Sequence, residues 1–166
     1  MLNLAGNNMT SKDLIAHFDL TAHPEGGFYR RTYAATLPID FNGRTRHVCT
    51  AILFLLEACQ YSRLHRIPQD EIWHFYCGDP LRLVMLLPNG TVREVILGHE
   101  ILAGQFVQYC VPAGAWFGAA PCIGGAYSFV GCTVSPGFVM EELEFGERDS
   151  LLKLFPGGEK IIREFC

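Results

Sequence analysis

The stretch from Ser62 to Gly78 gathers side chains suited to proton chemistry, among them His65, Glu71 and His74. A histidine titrates near neutral pH, and a carboxylate within reach fixes its tautomer and raises its basicity. His65 with Glu71 is therefore read as a general base with its orienting carboxylate. His74 follows Glu71 by three residues, so in a strand it faces the other way unless a bulge intervenes. Ser62 heads the same stretch and joins His74 as a ligand-binding candidate. The plainer alternative is that His65 and Glu71 only satisfy one another in a closed interior.

Further binding candidates lie elsewhere in the chain. Arg30 and Arg31 are adjacent, so at most one of them faces the interior of a sheet structure. An inward Arg30 would hold a phosphate or carboxylate bidentately. Gln108 alternates with Phe106 and Cys110 and could add an amide contact. Trp116, Phe117 and Phe138 suit either a core or a stacking platform at a pocket mouth. Gly26-Gly27 is read as a turn or bulge, because no helix follows it to make a phosphate cradle.

The elements that must position these groups are mostly strands. Thr10 to Leu20 reads as a capped amphipathic helix, with Thr10, Ser11 and Asp13 ahead of Leu14, Ile15 and Phe18. From Phe28 the period changes to two. Strand-like runs follow at Phe28 to Ala35, Val48 to Leu56, Ile72 to Cys77, Leu81 to Leu87, Val92 to Leu97, Phe106 to Val111 and Ala126 to Val134. Gly- and Pro-rich turns separate them, and Pro88-Asn89-Gly90 suits a tight hairpin. Past Phe145 the pattern is helical again, with Ser150 capping Leu151 to Phe155 and a last helix from Glu159 to Phe165.

The whole chain, residues 1–166, reads as one domain: 1–9 disordered, 10–20 helical, 28–145 a barrel and 150–165 a C-terminal helical segment. At 166 residues it buries roughly 70% of its unfolded surface. Hydrophobic residues make up 49% and charged residues 18%, which excludes a disordered chain. No apolar run is long enough for a membrane helix, and the first residues lack the pattern of a secretory signal. A cytoplasmic, membrane-free protein is expected. Its seven cysteines contain no CxxC pair and are read as small buried hydrophobes. The net charge of −4 without a basic run argues against a nucleic-acid partner.

Ser62-Arg-Leu-His65-Arg-Ile67-Pro-Gln-Asp-Glu71-Ile-Trp-His74-Phe-Tyr-Cys-Gly78 resembles the first cupin motif, G-x5-H-x-H-x3,4-E-x6-G. His65, Glu71 and Gly78 fall in register, with Ile67 at the second histidine. Val111-Pro112-Ala113-Gly114-Ala115-Trp116-Phe117 partly echoes the second motif, G-x5-P-x-G-x2-H-x3-N, with Phe117 at its histidine. His23-Pro-Glu-Gly-Gly-Phe-Tyr29-Arg30-Arg31, Glu71-Ile-Trp-His-Phe-Tyr and Val134-Ser-Pro-Gly-Phe138 resemble a cupin family named only as a domain of unknown function, a likeness that runs from Asp13 to Phe165. It implies a mainly β fold: a single double-stranded β-helix, an RmlC-like jelly-roll barrel, with short N- and C-terminal helices. It also implies a homodimer, to which the apolar run Val48 to Leu56 would contribute if it were an exposed edge.

A cupin metal site takes three histidines and a glutamate. Two of those positions are Ile67 and Phe117 here, so no cofactor is expected. A metal held by His65, Glu71 and His74, in an oxygenase or isomerase, is the weaker alternative. Metal-independent cupin relatives include nucleotide-sugar epimerases, in which a histidine takes a proton beside a carbonyl and a tyrosine protonates the far face. By that resemblance Tyr127 is the candidate acid, with Tyr29, Tyr33, Tyr61, Tyr76 and Tyr109 as competitors. The implied function is binding, and possible epimerisation or isomerisation, of a small anionic metabolite such as a nucleotide or nucleotide-sugar. A barrel that binds its ligand without changing it is the third reading.

Overall fold

Alternation of apolar and polar side chains decides which residues become strands and which face each strand buries. The computed structural model describes residues 9–166. One antiparallel sheet runs in the order β1 (Thr21–Ala22), β2 (Phe28–Ala34), β5 (Thr50–Glu57), β12 (Tyr127–Ser135), β7 (Asp70–Gly78) and β10 (Gln108–Val111). A second runs β13 (Glu144–Phe145), β6 (Ser62–Arg66), β11 (Trp116–Pro121), β8 (Leu81–Leu86) and β9 (Val92–Leu97). A separate hairpin joins β3 (Pro38–Phe41) to β4 (Arg44–His47).

The inner faces of the two large sheets share one core. Phe54 and Leu56 of β5, Trp73 and Phe75 of β7 and Val130 of β12 pack with Leu83 and Met85 of β8 and Phe117 of β11. This is the mainly β jelly-roll implied by the motifs. Short helices cover two outer faces. Helix α1 (Ser11–His17) is closed by a capping box between Thr10 and Asp13, and its Leu14 is buried against Leu55 and Phe129. Helices α2 (Arg148–Leu154) and α3 (Glu159–Phe165) lay Leu151, Ile162 and Phe165 on Leu64, Val84, Leu86 and Trp116.

Several expectations shift. The first helix stops at His17, because Asp19 turns through a positive φ of 49° and Thr21–Ala22 pairs with β2. Ser150 lies inside α2, whose N-cap position is Glu147. The run expected as a possible exposed edge is central: β5 pairs with β2 on one side and β12 on the other, which removes that argument for a dimer. The disorder expected for residues 1–9 falls, apart from Met9, outside the described residues. No helix among the described residues is long and apolar enough to cross a membrane.

Candidate functional site

The loop between β1 and β2 is His23-Pro24-Glu25-Gly26-Gly27. Gly26 and Gly27 adopt φ of 115° and 72°, and a Cβ would stand 2.1 Å from the Tyr61 carbonyl oxygen at the first and 2.5 Å from that of Leu55 at the second. Only glycine lets the loop press this closely on the sheet. The Arg63 amide donates to the Glu25 carbonyl at 2.8 Å, and the Glu25 side chain is thereby driven inward, 6% exposed.

Glu25 meets His65 there, with Oε2 3.0 Å from Nε2. The other nitrogen, Nδ1, donates to the Arg63 carbonyl at 2.7 Å. Both ring nitrogens thus face acceptors, so both carry protons and His65 is an imidazolium. Burial opposes that charge, but Glu25, with help from Glu71 and the Arg63 carbonyl, outweighs it and raises the His65 pKa. Burial likewise opposes the Glu25 carboxylate, and His65 overcomes it and holds its pKa below the usual range. The Ser62 hydroxyl, fully buried beside Glu25, assists without reaching full hydrogen-bond geometry. His23 is neutral: burial lowers its pKa, and its Nδ1 accepts from the Glu25 amide at 3.3 Å. Its 3.6 Å approach to the Glu25 carboxylate is therefore not an ion pair.

Glu71, on β7, behaves differently. Burial pushes its pKa from 4.5 to about 7, an effect that His65 opposes and Glu25 reinforces, with the neighbouring Cys132 thiol lowering it slightly. It is a carboxyl balanced between its two forms at neutral pH. Glu71, His65, Glu25 and His23 line one cavity of about 70 Å³, together with Tyr29, Arg31, Ile67, Cys132, Phe138 and Met140.

This geometry redistributes the expected roles. His65 and Glu71 come together, but the partner of His65 is Glu25, and an imidazolium with both nitrogens donating is not a free base. Tyr127 lies outside: its hydroxyl donates to the Met9 carbonyl at 2.8 Å, and Tyr29 is the tyrosine at the cavity. Arg30 points outward to Asp19 (3.2 Å) and the Phe18 carbonyl (2.9 Å). Its neighbour Arg31, opposite the cavity-lining Ile52, points in. His74 and Gln108 bond to each other at 3.1 Å on the outer face of the sheet, where His74 also meets Thr133 at 3.0 Å. Strand alternation keeps both out of the cavity. Trp116 faces the terminal helices, with Arg66 over its ring. Phe117 faces inward with its ring centre 4.1 Å from that of His65, and Phe138 lines the cavity. Glu25 and His23 had no assigned role in the sequence, and of the two arginines of which at most one could face inward, Arg30 was the candidate and Arg31 is the one at the cavity. The local signal for Glu25 was the glycine pair beside it.

A model of the family described as "Cupin superfamily (DUF985)" matches residues 12–146. The chain belongs to this cupin family. The cupin is similar to a hypothetical protein from Leishmania major, at 34% identity and a TM-score of 0.90 over 95% of this chain and 99% of that one. It is also similar to protein SO0799 from Shewanella oneidensis, at 34% identity and a TM-score of 0.87 over 95% and 97% of the two chains. The uncharacterized yeast protein YML079W is 25% identical over 90% of this cupin and 81% of the yeast chain. Oxalate decarboxylase from Bacillus subtilis, at 10% identity and a TM-score of 0.55, shares the fold alone.

Metal binding in cupins asks for several convergent donors. Ile67 offers none at the cavity wall, Phe117 packs its ring on His65, and both His65 nitrogens are engaged. Among the described residues no three His, Cys, Asp or Glu side chains are arranged to hold one ion. The residues present do not fit a cupin metal centre, and His74, on the outer face, cannot complete one.

Proposed function

We propose that this cupin is an acid–base isomerase that acts, without metal, on a small hydroxy-carbonyl metabolite carrying a proton beside its carbonyl. The observation that carries the reading is one carboxyl, Glu71, facing a buried His65–Glu25 ion pair across a small cavity. Glu71, about half ionised at neutral pH, suits proton transfer in both directions. As carboxylate it takes the proton from the carbon. The C–H electron pair moves into the new C=C bond, and the carbonyl oxygen becomes an enolate. The negative charge thereby moves from Glu71 to the enolate without adding to the charge of the cavity, beside a His65–Glu25 pair that stays ionised throughout. Return of the proton from Glu71 to the former carbonyl carbon of a hydroxy-carbonyl substrate, as the hydroxyl on the deprotonated carbon gives its proton to the enolate oxygen and becomes the new carbonyl, yields the isomer, and no oxidant is consumed.

The size of the cavity bears on the substrate. Pockets that enclose a drug-sized ligand run to roughly 300–1,000 Å³, far above the 70 Å³ here. A whole nucleotide-sugar therefore does not fit, and the reading favours a small molecule or the reacting end of a larger one.

Proton exchange tests this directly. Two- to four-carbon oxo acids and hydroxyaldehydes are incubated with the protein in D2O, and loss of the carbon-bound proton signal is followed by NMR. The expected result is enzyme-dependent exchange in at least one compound, reduced about 10²-fold or more by Glu71→Gln. Exchange that is absent throughout, or unaffected by Glu71→Gln, defeats the proposal.

A further inference from the structure

We infer that Arg31 is the anion-binding residue of this cavity, and that its ligand is a small monocarboxylate held by that carboxylate at the mouth with its neutral end toward Glu71. The inference deepens the acid–base reading and rests on it for the role of the inner end.

Position is the first support. Arg31 is solvent-exposed yet lines the same cavity as His65 and Glu71, and it stands opposite Ile52, another lining residue. Freedom is the second. Arg30, Arg46, Arg66, Arg82 and Arg163 each have a carboxylate partner among the described residues, whereas Arg31 has none, and of the arginines without one (Arg44, Arg63, Arg93 and Arg148 being the others) it alone lines the cavity. A guanidinium at a pocket mouth with its fork unoccupied is matched in shape and charge to one carboxylate.

The interior sets the other half of the specificity. Its only fixed cation, His65, is already neutralised by Glu25. Burial makes a second negative charge unwelcome even on Glu71. An anionic group pushed past Arg31 would meet two carboxyls with no cation to spare, so the inner end of the ligand is a hydroxyl or carbonyl. Oxalate, the substrate in the name of the distant decarboxylase, would place its second carboxylate there. This cavity should refuse it.

The probes are glycolate, glyoxylate, lactate and pyruvate, their neutral amides, and oxalate and malonate. Binding is measured by titration calorimetry and thermal shift at pH 7.5, on wild type, Arg31→Gln and Arg31→Lys. Arg31→Gln changes an exposed side chain, and its melting point without ligand verifies folding. At least one monocarboxylate should bind. Its amide and the dicarboxylates should bind at least tenfold more weakly, and Arg31→Gln should lose at least tenfold, with Arg31→Lys between. The inference is overturned if no monocarboxylate binds, if amide or oxalate binds equally well, or if Arg31→Gln binds normally. Arg31-dependent binding without proton exchange in D2O would remove the acid–base reading and leave the carboxylate site standing. Exchange with an Arg31→Gln KM equal to wild type would do the reverse.

Discussion

At the scale of single residues, three buried titratable groups divide their tasks by environment. Glu25 is ionised because His65 is charged, and His65 is charged because both nitrogens face acceptors. Glu71 receives no such compensation, and burial raises it to about 7. A carboxyl whose folded pKa exceeds its unfolded one binds protons more tightly when folded, so its contribution falls as pH rises from 4.5 toward 7. A shift of that size corresponds to a loss on the order of 3 kcal/mol by neutral pH. His65 has the same sign: its raised pKa gives stability that is present below the unfolded value of 6.5 and lost as pH rises through the folded one. Glu71→Gln removes the first component. Calorimetry should find the variant melting above wild type at pH 8 and level with it near pH 4.5. A variant less stable than wild type at pH 8 would mean that the carboxylate form is favoured after all. The Glu25–His65 contact could not be read from the sequence, because the two residues lie on separate elements and local pattern carries no pairing between them.

At the scale of elements, the strands rich in β-branched and large apolar residues were legible and the others were not. Val92–Leu97 has the boundaries its alternation implies, and β7, β8 and β12 shift by a residue or two. Strands β6 and β11, Ser-Arg-Leu-His-Arg and Trp-Phe-Gly-Ala-Ala-Pro, contain charged or small residues with little strand preference. They form by pairing with each other, with β8 on the far side of β11 and β13 on the far side of β6. Arg31 was hidden for a related reason: its face follows from register with β5, which shifts between Arg31 and Tyr33. The segment from Phe138 to Leu143 packs Phe138, Met140 and Leu143 over the cavity. It is fastened by a bidentate ion pair from Arg46, fully buried on β4, to Glu142, with Gln69 donating to the same carboxylate at 2.7 Å. Truncating Glu142 leaves the covered Arg46 guanidinium without its hydrogen-bond partner, a cost of about 1–3 kcal/mol at this shallow depth. Glu142→Ala should therefore lower the melting point and raise hydrogen exchange across residues 138–143 more than elsewhere. Uniform exchange through the barrel would show that the segment opens only with global unfolding.

At the scale of the whole molecule, the two large sheets assign stability and chemistry to different faces. Inner faces hold Phe117, Trp73 and the cavity, whereas the outer face of the five-stranded sheet is sealed by the terminal helices. Phe165 anchors that seal. It is fully buried, its ring centre lies 5.8 Å from that of Tyr61, and it approaches Gly118 so closely that a Cβ there would be 3.1 Å away. Phe165→Ala should cost about 3–5 kcal/mol, which for a chain of this length lowers the melting point by about 10 °C. Because the sheet separates that ring from His65 and Glu71, the pH 7 titration of Glu71, followed by NMR in the folded variant, should stay within a few tenths of a unit of wild type. Phe117→Ala removes a ring in contact with His65, so it should lose comparable stability and also move the titration. If Phe165→Ala shifted Glu71 as far as Phe117→Ala does, the faces would be coupled through the sheet, and the cavity electrostatics would depend on the helices that pack behind it.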